Sequence, residues 1–205
     1  MRYSEPPDSA LEILLKYEVG GGKSYYDKYL SKFTWPGAYS GPTIGIGIDC
    51  AYYSEKELRE IFKFLPENEV DSIVGSIGKT GQSGKAYTSF LRSKGIKVDW
   101  DDALNIFKEV TWKKFSNLAE KAFPGLEHLC EDAYSAIVSI VFNRGAKMSG
   151  SSRLEMRNIK VLVPKKRYDL IAEEILKMKR LWENKNLNGL LARRDAEAAL
   201  VRKCE

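Results

Sequence analysis

Thr43-Ile44-Gly45-Ile46-Gly47-Ile48-Asp49 alternates with period two, the spacing that sends successive side chains to opposite faces of a strand. Ile44, Ile46 and Ile48 share one face; Thr43, Gly45, Gly47 and Asp49 share the other. It is the one convincing strand in the 205-residue chain. Its glycines lack a Cβ and permit a bend, or a close approach by backbone or ligand. A short β element in an otherwise helical sequence predicts a mainly helical α+β fold.

Upstream of it, Ser9-Ala10-Leu11-Glu12 has the form of a capping box, Leu11, Leu14, Leu15 and Glu18 fall on one helical stripe, and Gly20-Gly21-Gly22 ends the helix. A Tyr-rich segment and Trp35-Pro36-Gly37 lead to the strand. Downstream, Ser54-Glu55-Lys56-Glu57 is a second capping box, followed by Leu58, Ile61, Phe62 and Leu65. A glycine-rich break over 75–84 precedes a helical stretch at 86–91, and further helices are expected near 101–122, 132–144, 153–162, 167–183 and 190–203. Residues 133–142 are apolar nearly all round, which marks a buried central helix with Asp132 as cap and Gly145 as stop. The expected organisation is a single domain over 1–205. A small β-containing N-terminal lobe covers about 1–60, and a larger helical C-terminal lobe covers 61–205.

Composition narrows the function. With 43% hydrophobic and 30% charged residues the chain has the means for a core, so disorder and fibre are excluded. The longest nearly unbroken apolar run, 133–142, falls far short of the roughly 20 residues of a membrane span, so no membrane insertion is expected. No basic start followed by an apolar stretch marks a secretory signal. One histidine, His128, removes most zinc sites, and neither a metal nor an organic cofactor is expected. Three cysteines, Cys50, Cys130 and Cys204, form no paired framework, so a reduced state is the default. Charge is uneven: residues 1–100 are net 0, 101–150 net −1 and 151–205 net +6. The basic excess suits a polyanion or simply a set of solvated helices.

Glu18 stands out among the side chains. It continues an apolar stripe and ends a helix, so desolvation and the negative end of the macrodipole both oppose its ionisation. A carboxyl that keeps its proton is what general-acid protonation of a glycosidic oxygen needs. A structural carboxylate paired with arginine is the alternative. Thr43 and Asp49 share a strand face and can orient water or stabilise positive charge opposite such an acid. A straight strand would hold them about 20 Å apart, so the chain must turn at Gly45 or Gly47 for both to serve one carbon. Gly78-Lys79-Thr80 lacks the first glycine and the strand of a phosphate loop, and Ser83 in Gly81-Gln82-Ser83-Gly84 has no suitable imidazole, so nucleotide binding and a serine triad are rejected. Tyr25, Tyr26, Tyr29, Phe33, Trp35 and Tyr39 can stack on sugars or pack as an ordinary helix face. Arg144 complements a helix C-terminus, and Arg193-Arg194 can hold a cleft carboxyl, a pairing that would oppose the two effects argued for Glu18 and leaves their balance open.

Glu18, Trp35-Pro36-Gly37 and Ser40-Gly-Pro-Thr-Ile-Gly-Ile-Gly-Ile-Asp49 together resemble the phage-type lysozyme superfamily, and within it the pesticin-like branch. The similarity continues through Ala122-Phe-Pro-Gly125, Asp132 to Gly145, Arg153-Leu-Glu-Met-Arg157, Met178-Lys-Arg-Leu-Trp182 and Gly189-Leu-Leu-Ala-Arg-Arg-Asp-Ala-Glu197. The resemblance implies a lysozyme-like fold and a muramidase that cuts the β-1,4 bond between N-acetylmuramic acid and N-acetylglucosamine. Carried over, the catalytic glutamate is Glu18, the threonine Thr43 and the pesticin-like aspartate Asp49. The nine-residue spacing of other phage lysozymes points instead to Asp27. Gly47, Asn143, Arg144, Arg193 and Arg194 fall on supporting positions, Arg194 on the arginine that pairs with the glutamate. Asp49-Cys50-Ala51-Tyr52 lacks the glycine that typical relatives carry after the aspartate, so a glycan-binding relative without turnover is one alternative; a lytic transglycosylase and a structural or interaction protein on the same fold are the others. The implied partner is the peptidoglycan glycan strand, with no nucleic acid, and a monomer is expected. The chain is expected to be made in the cytoplasm and to act on the wall after release or injection, as an endolysin, an effector or a bacteriocin domain.

Overall fold

A computed structural model of the chain describes residues 2–20 and 22–204. The fold is mainly helical with one small antiparallel hairpin. By contact the chain forms two compact units, one of residues 1–17 with 112–205 and one of residues 18–111. Each is built around its own apolar interior.

The unit of residues 18–111 holds α2 (Gly22–Tyr29), β1 (Thr43–Ile44), β2 (Ile48–Asp49), α3 (Glu55–Ile61), α4 (Glu67–Val74), α5 (Gly81–Ser93) and α6 (Trp100–Ile106). The expected single strand is two strands of two residues. Gly45 and Gly47 adopt φ of +65° and +80°, a region glycine enters without a Cβ clash, and the chain reverses across Gly45-Ile46-Gly47. Ile44, Ile46 and Ile48 remain buried. They line an apolar interior with Phe62, Val98, Ala103 and Ile106. Period two therefore named the buried side chains correctly, and the turn that a shared site required at Gly45 or Gly47 is where the chain reverses.

Ser54 closes a full capping box: its hydroxyl accepts from Glu57 N–H, and the Glu57 side chain accepts from Ser54 N–H at 2.8 Å. Such a cap contributes about 1 kcal/mol to α3. Pro66 then forces a fresh start, and α4 begins at Glu67. The helix expected over 101–122 is interrupted by a π-helical stretch, Phe107–Trp112, before α7 (Lys113–Ala122).

The other unit contains α1 (Asp8–Glu18) up to Tyr17, together with α7, α8 (Glu131–Arg144), α9 (Leu154–Leu162), α10 (Tyr168–Lys177) and α11 (Asn188–Arg202). Every residue of α8 from Ala133 to Val141 is buried, as its all-round apolar sequence requires. Neighbours pack in the order α7–α8–α11–α10–α9. The α8 cap is Cys130, whose sulfur accepts from Ala133 N–H, two residues earlier than the expected Asp132. At the first helix the expected box is absent. Pro7 C=O takes the first bonds of α1, and Ser9 Oγ instead donates to Ser135 Oγ at 2.9 Å. Of the three glycines expected to end that helix, Gly21 lies outside the described residues; α1 stops at Glu18.

A disulfide joins Cys130 to Cys204, with Cα atoms 6.2 Å apart. This corrects the expectation of a reduced set. Cys50 is left as the buried free thiol. Among the described residues, no helix is long and apolar enough to cross a membrane, and no three His, Cys, Asp or Glu side chains are placed to hold a metal ion.

Candidate active site

The hairpin brings Thr43 and Asp49 directly opposite one another in register. Facing residues of an antiparallel pair lie about 5 Å apart at Cα, with both side chains on one face. The distance that a straight strand would impose is removed. Thr43 is half-buried and held on both sides. Its N–H donates to Thr34 C=O at 2.8 Å, its C=O accepts from Thr34 N–H at 2.7 Å, and its hydroxyl donates to Gly41 C=O at 3.2 Å.

Asp49 is half-buried and caps a short 3₁₀ turn over Cys50–Tyr52. Oδ1 accepts from Ala51 N–H at 3.2 Å, and Gly41 N–H reaches Oδ2 at 3.0 Å and Oδ1 at 3.2 Å. The turn is closed by Cys50 N–H to Pro42 C=O at 2.9 Å and by Gly78 N–H to Ala51 C=O at 3.0 Å. Gly41 has no room for a side chain. A Cβ there would sit 2.3 Å from Ala51 Cβ, 2.7 Å from Asp49 Oδ1 and 2.8 Å from Lys79 O. Gly41→Ala is therefore expected to cost about 1–3 kcal/mol, the range for overpacking, measured by urea unfolding. It should also displace the Asp49 carboxylate, because the amide that holds it must move.

Gly84 has a similar role. A Cβ on it would meet Lys79 O at 2.8 Å and Ser40 O at 2.9 Å, so α5 can press on the loop only as glycine. The glycine-rich break at 75–84 is thus the support under Asp49, a role that sequence reading missed. The signal was the density of glycines between two helices, which marks close backbone approach as readily as a flexible loop. Tyr53, next to this turn, is pushed up to about 12 by burial, with Cys50, Glu57 and Asp49 adding to the effect.

Glu18 is the last residue of α1 and is half-buried. The apolar stripe that leads to it is rotated from the expected one. Ala10, Ile13 and Leu14 are buried, whereas Leu11 and Leu15 are half-buried. Val19, directly after Glu18, is buried. Asp27 lies on the exposed side of α2 and pairs with Lys23 at 2.7 Å. Gly47 is exposed at the hairpin tip.

The aromatic set divides. Tyr26 and Phe33 are buried, and Tyr26 OH donates to Val98 C=O at 2.9 Å. Tyr25, Tyr29 and Tyr39 are exposed. Because α2 ends at Tyr29, positions 25, 29 and 33 do not form one helix face.

The supporting residues of α8 and α11 form a buried polar cluster. Arg194 Nη2 donates to Glu197 Oε1 at 2.8 Å and to Asn143 Oδ1 at 3.3 Å. Arg193 Nε donates to Glu197 Oε1 and to Ser139 Oγ, both at 3.3 Å, and Ser139 Oγ donates to Glu197 Oε1 at 2.6 Å. Burial pushes the Arg194 guanidinium down, against the pull of Glu197. Arg144 sits with its guanidinium 5.2 Å from the centre of the Trp182 ring. Burial and the neighbouring Arg153 and Arg194 push it down to about 10. Ser139 was not singled out by sequence reading, because a serine inside an apolar helical run carries no signal of its partner.

A mainly helical fold with a small β-hairpin is consistent with a lysozyme-like protein. The phage lysozyme family model matches residues 36–197, most of the chain, and the protein belongs to that family. Membership places it in the lysozyme-type class of glycoside hydrolases. Thr43, Asp49, Asn143, Arg144, Arg193 and Arg194 fall inside the matched segment, and Glu18 and Asp27 precede it. No curated protein matches the chain.

Proposed function

We propose that this protein is a muramidase of the pesticin-like type, hydrolysing the β-1,4 bond between N-acetylmuramic acid and N-acetylglucosamine in peptidoglycan. Glu18 protonates the leaving glycosidic oxygen. Asp49, with Thr43 beside it, orients the attacking water or offsets positive charge developing on the sugar ring. The observation that carries this reading is the hairpin register, which pairs Thr43 with Asp49 on one face. Asp27 is on an exposed helix in an ion pair with Lys23 and has no such neighbour in register. The protein works without a metal or organic cofactor in this scheme, as a monomer, on glycan strands reached after release or injection.

A second reading has one observation in its favour. Both Asp49 oxygens accept backbone N–H groups, which fits a carboxylate that shapes the turn. A lytic transglycosylase needs the acid and no second carboxylate. The two readings differ in product, so purified Gram-negative sacculi are digested and the released ends analysed. Hydrolysis releases reducing N-acetylmuramic acid ends. Anhydro-sugar ends would replace the muramidase reading with the transglycosylase one, and binding without released ends would leave a glycan-binding protein.

A further inference from the structure

Glu18 is the last residue of a helix, where backbone carbonyls lose their intrahelical partners and the last turn frays unless something holds it. Beyond it, Val19 is buried and its C=O accepts from Gly22 N–H at 2.6 Å, where Gly22 adopts φ +62°. The side chain one residue earlier is anchored on another helix. Tyr17 OH donates to Ala192 C=O on α11 at 2.8 Å. The Arg193 guanidinium lies 5.6 Å from the centre of the Tyr17 ring, within range of a cation–π contact. Arg193 is itself fixed, being 2% exposed and bonded to Ser139 on α8 and Glu197 on α11. A continuous set of contacts therefore runs from α8 through α11 to the half-buried Tyr17 side chain, one peptide unit from Glu18.

We propose that Tyr17 is a positioning residue for Glu18: its hydroxyl, anchored on the Ala192 carbonyl, fixes the end of α1 and with it the place from which the acid delivers its proton. This rests on the assignment of Glu18 as general acid. Proton transfer requires heavy atoms within hydrogen-bond reach, and a displacement of about 1 Å at a reacting group costs on the order of a hundredfold in rate. Burial and nearby Glu197 push the Tyr17 phenol up, so it stays a donor across the working range of the enzyme.

The test separates ring from hydroxyl. Tyr17→Phe keeps the packing and the face offered to Arg193 and removes only the bond to Ala192; Tyr17→Leu removes both. On soluble peptidoglycan oligomers, Tyr17→Phe is expected to lower kcat about tenfold or more with KM within about twofold and an unchanged melting temperature. Tyr17→Leu is expected to lower kcat and the melting temperature together. Restoring the ring therefore recovers stability without recovering turnover, which a purely structural tyrosine would not do. Wild-type kcat in Tyr17→Phe overturns the inference, and so does a loss confined to KM. The Glu18 assignment is checked in parallel. If Glu18→Gln keeps its turnover, that assignment fails; if Glu18→Gln is inactive while Tyr17→Phe is fully active, only the positioning role fails.

Discussion

Glu18→Gln is expected to lower the rate of reducing-end release by about 10²–10⁴-fold, the range for a positioned general acid, while the protein melts where the wild type does. The amide is nearly the same shape as the carboxyl and can still hydrogen-bond, so the half-buried end of α1 keeps its packing. What it lacks is a proton to give. A glycosidic oxygen is a poor leaving group until it is protonated, so that one change removes the step on which the scheme depends. Comparison with the two aspartates sharpens the result. Asp27→Asn breaks an ion pair on an exposed helix face and is expected to leave the rate at the wild-type level. Asp49→Asn alters the group opposite Thr43 and is expected to reduce it. Equal turnover by Glu18→Gln and wild type would remove Glu18 from the mechanism. Loss in Asp27→Asn with activity kept in Asp49→Asn would exchange the two aspartates. Circular dichroism on each variant separates lost chemistry from lost fold.

Much of the helical frame is legible in the sequence because amphipathic spacing and caps are local. The Ser54 box predicts the start of α3, and the apolar run at 133–142 predicts a buried α8. Residue pattern says less about reversals. Ile44, Ile46 and Ile48 would be buried on one face of a straight strand, and they are buried equally by a hairpin with a three-residue turn. Only the two positive φ angles, which glycine permits without requiring, separate the alternatives. Helix starts fail where a tertiary partner competes for the capping group: Ser9 bonds to Ser135, 126 residues away. The site shows the same division. Thr43 and Asp49 were identifiable as residue types on a shared face. Their support on Gly41, Gly78 and Gly84 depends on backbone contacts between segments up to 44 residues apart, which no local pattern records.

Cutting the Cys130–Cys204 bond is expected to lower stability by about 4 kcal/mol. The cross-link spans 74 residues, and closing a loop of that size in the unfolded chain removes conformational freedom worth about that much on the chain-entropy account. For a chain of this length the melting temperature should fall by roughly 10 °C. Cys204→Ser is the cleaner cut, because the Cys130 sulfur also caps α8 through Ala133 N–H and its replacement would mix two effects. Three cysteines suggested reduced thiols because an odd count leaves no complete framework; one pair and one spare satisfy the same count. The pairing depends on the start of α8 meeting the end of α11, two helices that pack together although their cysteines are far apart in sequence. Cys50 supplies the internal control, since it is fully buried and burial pushes its thiol up, which keeps it unreactive. The oxidised protein should then show no reactive thiol when native, one when denatured and three after reduction. Dithiothreitol should lower the melting temperature of the wild type to that of Cys204→Ser and leave the variant where it is. Such bonds persist where thiols are kept oxidised, so the folded chain is expected to be most resistant to unfolding outside a reducing cytoplasm. Three reactive thiols in the denatured, unreduced protein, or a melting temperature indifferent to dithiothreitol, would mean that the two sulfurs are neighbours without a bond.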